Sequence, residues 1–358
     1  MTTIESFREF YKTQIAPQLQ AMHEQRKAVN NKYSFKKYGK NVLFLFLMLL
    51  LMGVLTMFNI NPPKAFALIL MITFFFYTVI TPFVFIIKRN ANLVKLETKY
   101  KNEIIPRILN ALYPDLKYQL GSGLLSNECK IQTFLLNESS LGFTSEDLIC
   151  GSVNGHEFKM SDVTFTYRPI RRNEVSKITS VRGAYAIFRS PVSFPFSFNV
   201  YQPNSALQVI KDVVDPIIDT IKKIPEPIVN VVNNRIGRIV ERESFKNKIK
   251  VGDTEFDRIF HVISDNEEAA KGILTMEVMD KIKKIINSNS FSLNIGLYGN
   301  EIHFAFPYFN LFEFSLGAFS TDEQDERLTY QYIIVIGSMI DLYEHIKNNA
   351  VKINNQIT

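Results

Sequence analysis

The sequence predicts an α+β protein in which an N-terminal two-helix transmembrane hairpin leads into a cytoplasmic region of antiparallel β-hairpins and packed helices. Three observations carry this prediction. Residues 42–87 hold a single charged side chain, Lys64, while the rest of the chain is patterned like a globular protein. From about residue 118 the apolar period changes to two, with an Asn-Gly pair between two strand-like runs. Near the C-terminus, strand-like runs are followed by a closing helix, an order typical of α+β architecture. The expected order is a cytoplasmic amphipathic helix (1–41), the transmembrane hairpin (42–87), a juxtamembrane helix (88–117), a first β-rich subdomain (118–205), an amphipathic helical insertion (206–247) and a second α+β subdomain (248–358).

A chain of 358 residues is long enough for a membrane hairpin plus one or two soluble domains. The formal charge is +6, and much of the excess lies beside the hydrophobic block rather than in a stripe that could track a phosphate backbone. That distribution argues for membrane topology and against nucleic acid as a partner. The two cysteines, Cys129 and Cys150, make no disulfide framework; a cytoplasmic location would keep them reduced as packed thiols. The first apolar run begins near Val42, far beyond the usual place of a cleaved leader, so the hairpin is expected to be retained.

Residues 4–30 place Ile4, Phe7, Phe10, Tyr11, Ile15, Leu19 and Met22 at spacings of three and four, which predicts an amphipathic helix that Pro17 interrupts. Its basic end suits anionic lipid headgroups; the alternative is packing against a second helix over residues 93–112 to form a short stalk. The first span, residues 42–58 (VLFLFLMLLLMGVLTMF), sits near the ~17-residue lower limit for crossing a bilayer, and the second, residues 65–87, exceeds the usual ~20. Between them, Asn-Ile-Asn-Pro-Pro-Lys leaves room only for a turn, so the spans are antiparallel neighbours. Lys36, Lys37 and Lys40 precede the first span and Lys88 and Arg89 follow the second. The positive-inside rule therefore puts both termini in the cytoplasm, as in a multi-pass protein of a bacterial inner membrane. Neither span carries an ionisable residue, which makes the hairpin a tether rather than a transport path.

Asn154-Gly155 sits where a tight primed turn needs positive φ at both central positions. Residues 185–200 read as a further β stretch with loops at Pro191 and Pro195. Val213, Ile217, Ile221, Ile228, Val232 and Ile236 then recur at helical spacing, while Pro216, Pro225 and Pro227 cut the series into pieces. These six apolar positions are the candidate partner-binding surface; helices packed on the adjoining sheet are the alternative. Asp265 with Glu268 fits an Asp-based capping box, and residues 276–286 read as a helix. Alternating residues on either side of Tyr298-Gly-Asn-Glu301 predict a second hairpin, and a final helix is expected over residues 328–346.

Several of these segments resemble the bacterial domain of unknown function 3137. The resemblance is carried by Phe7-Arg-Glu-Phe-Tyr11 with Pro17 and Arg26-Lys27, the apolar hairpin, Glu146-Asp-Leu-Ile-Cys-Gly151 with Asn154-Gly155, and above all Asp253-Thr-Glu-Phe-Asp-Arg-Ile-Phe-His-Val262 with Asp265 and Glu268-Ala269. Leu274-Thr275, Met279, Ser290-Phe291 and Leu311-Phe312-Glu313 are similar as well. The resemblance implies an architecture and an inner-membrane setting, but no reaction. It also implies that residues 206–243 are an insertion.

No catalytic constellation emerges. The five histidines show no metal-ligand spacing. Gly121-Ser-Gly123 is too short for a phosphate loop, and no nucleophile elbow occurs. Asp253, Glu255 and Asp257 lack the calcium-loop pattern and read as a solvated face. Cys150 and His156 face each other across the predicted hairpin, but no third orienting group accompanies them. The expectation is a non-enzymatic, membrane-tethered scaffold or adaptor without cofactors or metal. Its partners are membrane lipids and an unidentified protein, a second copy of the chain being one candidate. The rival is a membrane-associated ligand sensor or enzyme with an unfamiliar pocket.

Overall fold

A computed structural model describes residues 9–33, 39–40, 43–44, 46–50, 53–54, 72–75, 80–130, 140–167, 179–202, 248–289, 292–309 and 322–357. The six positions from Val213 to Ile236, together with Lys36 and Lys37, lie outside the described residues. The described residues fall into two compact units, one of residues 1–112 with 314–328 and one of residues 113–313 with 329–358.

In the first unit, α1 (Ala16–Lys32) packs on α2 (Thr81–Lys99). Arg89 meets Asn30 and Phe85 meets Tyr33, so the end of α1 lies beside the first half of α2 and the pair is antiparallel. Tyr11, Ile15, Leu19 and Met22 are buried on the first helix, and Leu93, Leu96, Tyr100, Ile104 and Ile108 on the second. This is the packed arrangement that the periodicity left open. Pro17 does not interrupt its helix as predicted. A proline lacks an N–H and its ring crowds the carbonyl four residues back. The preceding turn, Tyr11–Ile15, widens to a π turn in which the Ala16 N–H donates to the Tyr11 carbonyl, and the helix continues. The same device precedes Pro106: the turn Tyr100–Ile104 is π, and α3 (Ile105–Leu112) follows it.

Within residues 42–80 the described pieces are short and helical. Among the described residues, no helix is long and apolar enough to cross a membrane.

The second unit is built on one antiparallel sheet. Its strands are β1 (Leu116–Gln119), β2 (Ser140–Val153), β3 (His156–Tyr167), β4 (Thr179–Arg189), β5 (Phe198–Tyr201), β6 (Lys248–Ile249), β7 (His261–Ser264), β8 (Asn294–Tyr298) and β9 (Glu301–Pro307). The nine strands run in the order β1-β2-β3-β4-β9-β8-β5-β7-β6. The two stretches read as successive subdomains thus share a single sheet, joined where β4 pairs with β9. Both predicted hairpins are present. Asn154 and Gly155 have φ of 52° and 80°, as a type I′ turn requires, and Gly299 supplies the positive φ of a Gly-first turn.

Strand alternation gives the sheet two distinct faces. One carries Phe158, Phe188, Phe198, Ile295, Leu297, Ile302 and Phe304, all fully buried. Helices cover it: α4 (Thr254–Ile259), α5 (Glu267–Ile273), α6 (Met276–Asn289) and the 36-residue α7 (Asp322–Ile357). The Tyr343 ring of α7 stacks on Phe188 with centroids 4.3 Å apart. The closing helix is longer than the predicted 328–346. The other face is roofed in part by residues 120–130, whose Leu124 and Cys129 pack with Val163, Phe165, Val181, Tyr185 and Ile187.

One cap differs from the prediction. Asn266, not Asp265, is the N-cap of α5, its Oδ1 accepting the Ala269 N–H at 3.0 Å. Asp265 instead accepts the Ser197 N–H at 2.8 Å and the Ser197 hydroxyl at 2.9 Å, tying β7 to the loop before β5. The cap and the tertiary bond compete for adjacent polar residues, and only the fold shows that Ser197 lies within reach.

Candidate functional site

The most concentrated polar chemistry lies on the partly roofed face, across the central strands β3, β4 and β9. Glu157, Arg189 and Glu301 stand directly opposite one another in the register of these strands. Cross-strand pairing of opposite charges follows from the period-two alternation of each strand. The Arg189 guanidinium reaches Glu157 at 2.7 Å and Glu301 at 2.8 Å. Lys159, one pleat along from Glu157, binds Glu128 of the roof at 2.6 Å. The Glu128 carboxyl sits below its usual range, because the Lys159 ammonium and the Leu125 N–H outweigh the opposing effect of burial.

At the buried end, Tyr185 and His303 are fully enclosed. The Tyr185 hydroxyl accepts the Lys130 N–H at 2.9 Å, lies 3.3 Å from the Lys130 carbonyl oxygen and shares a hydrogen bond with His303 Nδ1 at 3.0 Å. The other ring nitrogen, Nε2, lies 3.4 Å from Glu301. Burial pushes the His303 pKa down. The His303 ring and then the Arg189 guanidinium hold the Glu301 carboxyl at about 2, against the effect of its own burial.

This chain of contacts runs from Glu128 through Lys159, Glu157, Arg189, Glu301 and His303 to Tyr185, with His303 Nε2 its one buried polar atom without a hydrogen bond among the described residues. It positions the roof on the sheet. A carboxylate held low stabilises the fold above its unfolded pKa and ceases to do so as the pH falls toward its folded value. The contribution of Glu301 is therefore present above about 4.5 and lost between about 4.5 and about 2. Thermal melts of the full chain and of Glu301→Gln should differ most at neutral pH and converge as the pH falls through that window; a gap independent of pH would contradict this.

The residues singled out in the sequence land elsewhere. Cys150 pairs with Lys159, and His156 pairs with Val153. By alternation they occupy opposite faces of the sheet, so they form no nucleophile pair. His156 sits at the helix-covered face, 3.0 Å from Lys347 and with its ring centroid 5.4 Å from that of Tyr343. Both cysteines are free thiols, and burial raises the pKa of Cys129. Asp253 is the N-cap of α4, accepting the Glu255 and Phe256 N–H groups and pairing with Lys283 at 2.8 Å. Asp257 accepts the Val251 N–H. These hydrogen bonds occupy Asp253 and Asp257 structurally, and among the described residues no group of three or more His, Cys, Asp or Glu could hold a metal ion.

The Glu146–Gly151 motif marks an irregularity of β2. The register shifts between Glu146 and Ile149, as in a β-bulge. Asp147 takes φ of 62° and is buried, accepting the Tyr118 hydroxyl at 2.7 Å. Burial, then that hydrogen bond and the Asp147 charge, push the Tyr118 phenol well up. The ladder itself escaped sequence reasoning because β4 and β9 are more than a hundred residues apart. The alternation of Glu157 with Lys159 and of Glu301 with His303 was its local trace.

Residues 199–347 match the family described as "Protein of unknown function (DUF3137)". They include strands β5–β9, helices α4–α6 and most of α7. A similar solved structure is the "crystal structure of the mycobacterial trehalose monomycolate transport factor A, TtfA". It is 11% identical over 64% of this chain and 88% of that one, with a TM-score of 0.30. No curated protein matches the chain. Over residues 199–347, the chain is thus similar to the DUF3137 family of unknown function.

Proposed function

We propose that this protein is a membrane-tethered scaffold or adaptor, held in a bacterial inner membrane by a helical hairpin over residues 42–87 and binding partner proteins through its cytoplasmic part. The observation that carries the reading is the exposure of large apolar side chains within the hairpin sequence. Leu43, Phe44, Phe46, Leu47, Leu50, Val54, Ile72, Phe75, Ile80 and Phe83 are all exposed, Phe44 at 62% and Phe83 at 64%. Exposure of this many large apolar side chains is costly in water and favourable in hydrocarbon. Lys40 and Lys88 flank the block, which supports an orientation with both termini in the cytoplasm.

The adaptor role is supported by the ion pairing that engages Lys159 and Arg189 with Glu128, Glu157 and Glu301 in the polar ladder, and by the apolar series from Val213 to Ile236, a length of chain suited to a partner. Two measurements test the proposal. The full chain should stay with membranes after an alkaline carbonate wash, and deletion of residues 42–87 should release it. Photocrosslinkers placed at Ile217 and Ile228 in native membranes should trap the same partner, whereas one at Lys352 should not. Recovery of the protein alone, with turnover of a small molecule, would overturn the adaptor reading.

A further inference from the structure

In the helix pair of the first unit, a run of exposed apolar side chains gives way to basic residues at one level, with Val94 the one large exposed apolar side chain further along α2 among the described residues. Along α2, Phe83, Ile86 and Ile87 are exposed, and the next residues are the exposed Lys88 and the half-buried Arg89. The end of α1 reaches the same level. The Arg89 Nε–H donates to Asn30 Oδ1 at 3.0 Å, and the Tyr33 ring stands edge-on to Phe85 with centroids 5.9 Å apart. Lys32 Nζ lies 5.7 Å from the centre of the Tyr33 ring. Antiparallel packing therefore gathers Lys32, Tyr33, Lys88 and Arg89 into a collar at the edge of the exposed apolar side chains. Between Glu24 and Glu97 the sequence holds ten Lys and Arg residues and no Asp or Glu.

We propose that this collar binds the phosphate of an anionic phospholipid headgroup, with Lys32, Lys88 and Arg89 as its cations and Tyr33 as the interfacial ring. The inference rests on the reading of residues 42–87 as a membrane hairpin. Asn30 occupies the Nε of Arg89. The two terminal nitrogens have no partner among the described residues, and together they form the fork that suits two phosphate oxygens. Lys32 and Lys88 add compact point charges on flexible stems. A tyrosine with an apolar body and a polar tip favours the headgroup level. A zwitterionic headgroup brings its own ammonium into the collar, so the selectivity is for lipids of net negative charge.

The test uses full-length protein in neutral detergent. Short-chain phosphatidylglycerol and phosphatidylcholine are added in turn, and retained lipid is measured by native mass spectrometry. Phosphatidylglycerol should be retained in preference. Lys88→Gln and Lys32→Gln, at exposed positions, should each weaken its retention about fivefold, and Arg89→Lys, which keeps the charge but loses the fork, should weaken it by a similar factor. Lys95→Gln, about 10 Å further along α2, should leave retention unchanged. Equal retention of the two lipids, or an equal loss from Lys95→Gln, overturns the collar. Displacement by inorganic phosphate at similar concentration overturns a lipid as the source of the phosphate. Carbonate extraction separates the two readings: protein that stays in the membrane without lipid preference overturns the collar alone, and protein that is released overturns the membrane reading.

Discussion

Phe188→Ala should lower the stability of the second unit by about 3–5 kcal/mol, a fall in Tm of about 10 °C. Phe188 is fully buried on β4, at the centre of the sheet. Its ring stacks on Tyr343 at 4.3 Å and meets Phe158 at 4.7 Å and Phe304 at 5.7 Å, so one side chain joins three adjacent strands to α7. Truncation removes the transfer free energy of the ring and leaves a cavity that the rigid sheet cannot close. Leu125→Ala, at a position 63% exposed, should change stability by no more than about 0.5 kcal/mol. Denaturant melts of both variants in the full chain check this. Similar losses from the two would mean that Tyr343 does not dock α7 on the sheet as described.

Gly151→Ala should be comparably damaging for a different reason. Gly151 has φ of 151°, which L side chains rarely adopt, and a Cβ there would fall on the Asp115 carbonyl oxygen, closer than real Cβ atoms approach. The backbone strain costs about 1–3 kcal/mol, and relieving the overlap costs about 1–3 kcal/mol more. The cheapest relief is to push β1 away from β2, because Gly151 is the register partner of Leu116 at the edge of the sheet. Amide exchange at residues 116–119 should accelerate first. Gly142→Ala, in the same strand, is the control: its Cβ would meet Thr166 at an ordinary 3.5 Å. Equal effects at the two glycines would contradict the close approach of β1.

Gly151 also shows how far the sequence was legible. It stood out as part of a motif with Glu146 and Asp147, without an assigned role. Its role is steric and depends on Asp115, a residue 36 positions earlier in the chain. Asn154-Gly155 needed no such partner. Its demand for positive φ is local, and the turn formed where it was read. Asp265 fell between these cases: a carboxylate before a helix reads as a cap, and it was diverted because the fold brings Ser197 to it while Asn266 supplies the cap. The separation of Cys150 from His156 follows from β2–β3 register, which depends on the turn position together with the bulge between Glu146 and Ile149.

What the sequence determined by itself was therefore everything set within a few residues. That includes the apolar block with its basic flanks, the two hairpin turns, the amphipathic helices and the α+β class, since each depends on torsional preference and hydrophobic period along a continuous stretch. Only the tertiary structure decided that one sheet runs through both β-bearing regions, that Arg189 lies between Glu157 and Glu301, and that Asn30 and Tyr33 of one helix end meet Arg89 and Phe85 of the other helix. Those arrangements join residues 32 to more than 140 positions apart. Their selection depends on which faces can be buried together, and no local preference along the chain encodes that choice.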